Sequence, residues 1–284
     1  MSHTTLISAE DLQALRAGSR PPLLLDVSFD LADTAAGERA YAAGHLPGAH
    51  YLHLDRDLSG PKAGEGQVFT GRHPLPEPAA FAQRLAALGL QAGQQVVAYD
   101  GQGGMYAARV WWMLRWLGHE AVAVLDGGAA AWQAAGGALV TEVPAAQPGN
   151  FQASASIAPS LTADALQARL GRVRLLDARA GERFRGEVEP LDRQAGHIPG
   201  ALNRFFKDNL QPDGRFKAAD ALRAEFEALL PPFAAPEVVH QCGSGVTACH
   251  NLLAMEHAGL RGSRLYPGSW SEWSADPRRP VAQG

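Results

Sequence analysis

Val238-Val239-His240-Gln241-Cys242-Gly243-Ser244-Gly245-Val246-Thr247-Ala248 carries a β-branched pair, a cysteine, a glycine-punctuated loop and the start of a helix-compatible segment. The apolar pair reads as a buried strand, the glycines permit a tight turn, and 248–258 reads as a helix. This order, strand, loop and helix N-terminus, aims successive backbone N–H groups into one concavity, where an anion is stabilised. Cys242 is therefore the candidate nucleophile, since the thiolate is the reactive form of cysteine. The alternative, a cysteine packed as a small hydrophobe, is disfavoured by the flanking glycines. Cys249 lies seven residues on, about 10 Å along a helix, too far for a regular disulfide, and reads as core.

The same pattern occurs earlier in the chain. Val96-Val97-Ala98-Tyr99-Asp100-Gly101-Gln102-Gly103 aligns with Val238 to Gly245, placing Asp100 opposite Cys242. The correspondence continues on both sides. Ser8-Ala9-Glu10-Asp11-Leu12 pairs with Thr162-Ala163-Asp164-Ala165-Leu166, each a helix start with a capping hydroxyl. Leu23-Leu24-Leu25-Asp26 pairs with Arg174-Leu175-Leu176-Asp177, and Gly44-His45-Leu46-Pro47-Gly48 with Gly196-His197-Ile198-Pro199-Gly200. Val124-Leu125-Asp126-Gly127-Gly128 and Trp132 pair with Leu265-Tyr266-Pro267-Gly268-Ser269 and Trp273. Short apolar strands alternating with helical segments make each copy an α/β unit around a mainly parallel sheet flanked by helices. Expected boundaries are 1–142 for a first domain lacking the nucleophile, 143–160 for a Pro/Ala/Gln/Ser-rich linker, and 161–284 for the catalytic domain.

At 284 residues and 46% hydrophobic content the chain can fill two cores without staples. A net charge of −4 with dispersed Lys and Arg provides no basic stripe, which argues against nucleic-acid and anionic-membrane partners. The first residues lack signal-peptide character and no stretch reaches membrane-spanning length, so a cytoplasmic protein is expected. Two unpaired cysteines are consistent with a reducing compartment. His240, His250 and His257 form no zinc spacing with the cysteines, and no metal or cofactor is expected. His45 and His197, present in both copies, read as fold-defining; Trp111, Trp112 and Trp116 read as a packed helix and its edge.

These motifs resemble the two-domain rhodanese family of sulfurtransferases, and the loop Cys242-Gly243-Ser244-Gly245-Val246-Thr247 is similar to that of its 3-mercaptopyruvate branch. Thiosulfate-specific members often carry basic residues where Gly243, Ser244 and Gly245 stand here. The resemblance implies covalent relay: Cys242 takes the donor's outer sulfur as a persulfide and passes it to a thiol, a thioredoxin-like protein or cyanide. It implies donor contacts from Gly243, Gly245, Val246 and Thr247, and a proton relay of Ser244, His73 before Pro74, and Asp55 in Tyr51-Leu52-His53-Leu54-Asp55. Arg183 matches a substrate-binding arginine suited to a carboxylate. A second arginine should follow Glu189-Pro190; Leu191-Asp192-Arg193 stands there, so Arg193 is the displaced candidate. Arg179 reads as a structural pair.

Thiosulfate remains the rival donor, and a non-catalytic rhodanese-like binding module the alternative of another class. Cysteine-dependent phosphatases resembling this fold place arginine six residues after the nucleophile, where this chain has Ala248.

Overall fold

The computed structural model describes residues 2–63, 68–145 and 147–284. Ala146 of the expected linker lies outside them, as does Met1. The chain divides into two compact units. The first comprises Met1–Gly60, Pro76–Ile157 and Pro212–Phe216; the second comprises Pro61–Leu75, Ala158–Gln211 and Lys217–Gly284. Relative to the boundaries expected from sequence, each unit therefore borrows a short segment from the other half of the chain.

In the first unit, strands β1 (Leu6–Ile7), β2 (Leu23–Asp26), β3 (Ala49–Tyr51), β4 (Val96–Tyr99) and β5 (Val122–Leu125) form one parallel sheet in the order β1-β5-β4-β2-β3. The helices are α1 (Ala9–Arg16), α2 (Ala36–Ala43), α3 (Pro78–Ala87), α4 (Ala107–Trp116) and α5 (Gly128–Ala134). Every residue of β2, β4 and β5 is buried, as expected of parallel strands covered on both faces. Trp111 and Trp112 of α4 are buried, and Trp112 stacks on Trp116 at the helix edge.

The second unit repeats the plan. Strands β6 (Arg174–Asp177), β7 (Ala201–Asn203), β8 (Val238–Gln241) and β9 (Arg264–Leu265) run parallel in the order β7-β6-β8-β9. A parallel bridge from Ser160 to Leu265 marks the place that β1 takes beside β5. Helices α6 (Ala163–Gln167), α7 (Gly181–Arg185), α8 (Ala219–Glu227), α9 (Ala248–His257) and α10 (Ser269–Trp273) complete it. The helix caps expected at Ser8 and Thr162 are both made, to the N–H groups of Asp11 and Ala165.

The repeated histidines serve the fold. His45 stacks on Tyr41 with ring centres 3.8 Å apart, and His197 stacks on Phe184 at 3.9 Å. Each also pairs its backbone with the unit's C-terminal stretch, at Val140 and at Ala282.

The strand order decides where chemistry can sit. After β6 the chain moves outward to β7, then returns to β8 on the other side of β6. The order in which the chain lays down strands thus reverses between β6 and β8, and the crevice at their carboxyl ends is where open α/β sheets bind ligands. Asp177 ends β6 and Gln241 ends β8, so Cys242 emerges at that point. In the first unit the switch lies between β2 and β4, and Asp100 emerges there.

Candidate active site

Cys242 is 2% exposed, and the turn into α10 holds the backbone of Cys242 and Gly243 at three points. Its N–H donates to Ser269 Oγ at 3.1 Å, its carbonyl accepts from Trp270 N–H at 2.9 Å, and the Gly243 carbonyl accepts from Ser271 N–H at 2.9 Å. Ser269 has φ +54°, a left-handed conformation that costs a non-glycine residue about 1–2 kcal/mol. Its hydroxyl, which also donates to the Tyr266 carbonyl at 2.9 Å, explains why the strain is kept. The repeat offered the signal for this residue, which sequence reading passed over: Gly128 aligns with Ser269 and has φ +57°.

Gly245 is held at φ +74°, and a Cβ there would lie 2.2 Å from the Pro267 carbonyl oxygen. Only glycine fits. Under the loop, Cys249 is fully buried and its thiol donates to the Gly245 carbonyl at 3.4 Å, which is the core role expected of it. Both cysteines are free thiols.

The first unit shows what such a loop holds. Asp100 is 2% exposed, and its carboxylate accepts the N–H groups of Gln102 at 2.8 Å and Gly104 at 2.9 Å on one oxygen, and of Tyr106 at 2.8 Å and Ala107 at 3.0 Å on the other. A built-in anion fills that cradle. In the second unit the side chain at this position is the Cys242 thiol, and among the described residues the N–H groups of Gly243, Ser244 and Val246 make no backbone hydrogen bond. Together with the N-terminus of α9, these amides are available to a thiolate, a persulfide or a donor oxyanion.

Ser244 and His73 come together, both buried, with a hydrogen bond of 2.7 Å between Ser244 Oγ and His73 Nδ1. His73 belongs to the segment 61–75, which is part of the second unit. The adjoining Gly71 has φ +108°, and a Cβ there would meet the Gly268 carbonyl at 2.9 Å. Arg72 N–H donates to Ser271 Oγ at 3.1 Å, which fixes the segment beside the turn that holds Cys242. Asp55 lies in the first unit just after β3, half-buried, with its N–H donating to His53 Nδ1 at 3.1 Å. Val246 is buried and Thr247 immediately precedes α9.

Arg183, on α7, pairs with Glu189 at 2.6 Å and with Asp192 at 3.4 Å. Arg72 also pairs with Asp192. Burial raises the Asp192 carboxyl above its ordinary pKa, against the opposing pull of Arg72. A Cβ on Gly243 would lie 2.9 Å from Arg72 Nη2 and 3.5 Å from Arg183 Nη1, so two guanidinium groups flank the residue next to the nucleophile. Arg193 is exposed and makes no hydrogen bond or ion pair among the described residues. It lines a pocket of about 380 Å³ together with Arg72, Asp192 and Ser271. Arg179 makes the structural pair expected of it, with Asp177 at 2.6 Å, both side chains buried, beneath the Trp270 ring.

Among the described residues no group of three or more His, Cys, Asp or Glu side chains is placed to hold a metal ion, and no helix is long and apolar enough to cross a membrane.

The rhodanese-like domain model matches residues 8–135 and again 162–276. A probable 3-mercaptopyruvate sulfurtransferase of Pseudomonas aeruginosa is 51% identical over the whole of both chains. A putative thiosulfate sulfurtransferase of Mycobacterium tuberculosis is 41% identical, covering 98% of this chain and 97% of its own. Among solved structures, the 3-mercaptopyruvate sulfurtransferase from Leishmania major superimposes with a TM-score of 0.84 at 29% identity, over 98% of this chain and 76% of its own. With two copies of the domain in tandem and a cysteine in the cradle of the second, the chain belongs to the rhodanese family.

Proposed function

We propose that the protein is a 3-mercaptopyruvate sulfurtransferase that works through a persulfide on Cys242. The observation that carries this reading is the buried Ser244–His73 hydrogen bond in the loop of the nucleophile. Its relevance follows from the chemistry of the donor. The Cys242 thiolate attacks the donor sulfur, an S–S bond forms, and the C–S bond breaks with its electron pair leaving on the donor's methylene carbon as the enolate of pyruvate. The products are an anionic persulfide and pyruvate, whose new methyl group needs one proton. The donor's thiol has one proton to lose. A hydroxyl–imidazole pair that takes the proton from sulfur and returns it to carbon balances the step. Thiosulfate carries no such proton and needs no relay.

The uncharged Gly243-Ser244-Gly245 stretch and the 51% identical relative support the same donor. The loop amides then hold the persulfide until a thiol, a thioredoxin-like protein or cyanide attacks its outer sulfur and restores the Cys242 thiolate. For Asp55 the role of the relay's carboxylate rests on the resemblance alone.

Steady-state kinetics with both donors test the assignment. Cys242→Ser is expected to abolish turnover of either. His73→Gln and Asp55→Asn are expected to lower kcat for mercaptopyruvate by about 10²–10³-fold, with a much smaller effect on thiosulfate. A wild-type kcat/KM higher for thiosulfate, or equal losses on both donors, would overturn the mercaptopyruvate reading. Full activity in Cys242→Ser would remove the nucleophile.

A further inference from the structure

We infer that Arg72, not Arg193, is the second cation that binds the donor's anionic head, working with Arg183 across Gly243. The inference rests on the sulfurtransferase reading but not on which donor is used, because a carboxylate and a sulfonate both present oxygens to paired guanidinium groups.

Three observations converge. The space that a Cβ at Gly243 would take is bounded by Arg72 Nη2 at 2.9 Å and Arg183 Nη1 and Nη2 at 3.5 and 3.7 Å. Both guanidinium groups therefore reach the residue next to the nucleophile, and a side chain at 243 would push Arg72 away from it. The Arg183 Nε is buried without a hydrogen-bond partner, an unspent donor on a guanidinium whose other edge is paired. Finally, Asp192 pairs with both arginines, Arg72 through one oxygen and Arg183 through the other. A carboxylate spanning two guanidinium groups shows that their spacing accommodates a small anion. Asp192 also fixes Arg72 at its post, while Glu189 fixes Arg183.

Arg193 has no such setting. It is exposed, while its neighbour Asp192 turns inward between the arginines. The segment carrying His73 therefore brings two functional groups to the loop: the relay imidazole and, one residue earlier, the cation.

Alkylation of Cys242 reads out this arrangement separately from turnover. Iodoacetate and iodoacetamide share the reacting carbon but differ in a carboxylate. In the full-length protein, with the adduct at Cys242 located by mass, the rate ratio of iodoacetate to iodoacetamide is expected to fall by about tenfold or more in Arg72→Ala and to be largely kept in Arg72→Lys. The KM for mercaptopyruvate and for thiosulfate should rise by about tenfold in Arg72→Ala, with kcat less affected. An unchanged ratio, including equal slowing by both reagents, would mean a structural role only and overturn the inference. So would a fall in the ratio on Arg193→Ala without one on Arg72→Ala. If Arg72→Ala does not fold, Arg72→Gln, which keeps most of the side chain's length without its charge, decides: the ratio should fall by about the same factor, and an unchanged ratio rejects the proposal. Anion-selective alkylation without turnover of either donor would defeat the sulfurtransferase reading and leave Arg72 in place.

Discussion

Asp100 and Cys242 stand at the same point of two copies of one loop, and the difference between them is a difference of occupancy. Four N–H groups converge on the Asp100 carboxylate, so the loop geometry is that of an anion receptor with the anion covalently supplied. Replacing that side chain by a shorter thiol leaves the same kind of receptor open to charge that comes and goes during a reaction. The receptor depends on backbone that no side chain can relax. At Gly245 both the φ of +74° and the 2.2 Å approach of a Cβ to the Pro267 oxygen oppose any substitution. Gly245→Ala is therefore expected to destabilise the fold by at least about 1 kcal/mol and to lose most sulfur-transfer activity, because the loop must move away from Pro267. Chemical denaturation and donor kinetics check both effects. A fully active variant of unchanged stability would mean that the loop tolerates a different path.

The strands and the loops that follow them were legible because their signals are local. The β-branched runs at Val96 and Val238, repeated with turn residues at matching offsets, specify parallel strands whatever the rest of the chain does. The Cys242 loop and the structural role of Arg179 were legible for the same reason, though its partner Asp177 came only with the structure. Strand β8 also carries a feature with a pH consequence. His240 is fully buried, its Nε2 lies 3.2 Å from Met255 Sδ, and its Nδ1 has no hydrogen-bond partner among the described residues. Burial pushes its pKa down to about 3, so the folded protein keeps it neutral while the unfolded chain protonates it near 6.5. Unfolding then takes up a proton between those values, and stability falls as pH drops below about 6.5, by on the order of 1 kcal/mol per pH unit from this group. His240→Leu is expected to flatten that slope, measured as denaturation midpoints from pH 7 to pH 4, and to leave neutral-pH stability equal or higher. An unchanged slope would assign the acid sensitivity to other groups.

At the scale of the whole chain, the sequence did not disclose that residues 61–75 belong with the second unit and residues 212–216 with the first. Neither segment has a periodic pattern, and the partners that hold them are far away in sequence: Arg72 meets Asp192, His73 meets Ser244, and the Phe216 N–H donates to Asp126 at 2.8 Å. Non-local pairing of this kind leaves no mark within a short window. That is why His73 had to be assigned through resemblance and why Arg72 passed unnoticed beside it. The consequence is testable by truncation. A fragment of residues 158–284 contains Cys242, Ser244 and Arg183 but lacks 61–75. In it Asp192 loses the Arg72 cation and keeps only the longer pair with Arg183. Ser244 loses its imidazole as well. The fragment is expected to be markedly less stable than the second unit of the intact chain and to show little mercaptopyruvate turnover, even though the nucleophile and its amides are all present. Thermal unfolding with donor kinetics compares the two. A fragment as stable and as active as the intact protein would show that segment 61–75 contributes neither packing nor chemistry to the unit that carries Cys242.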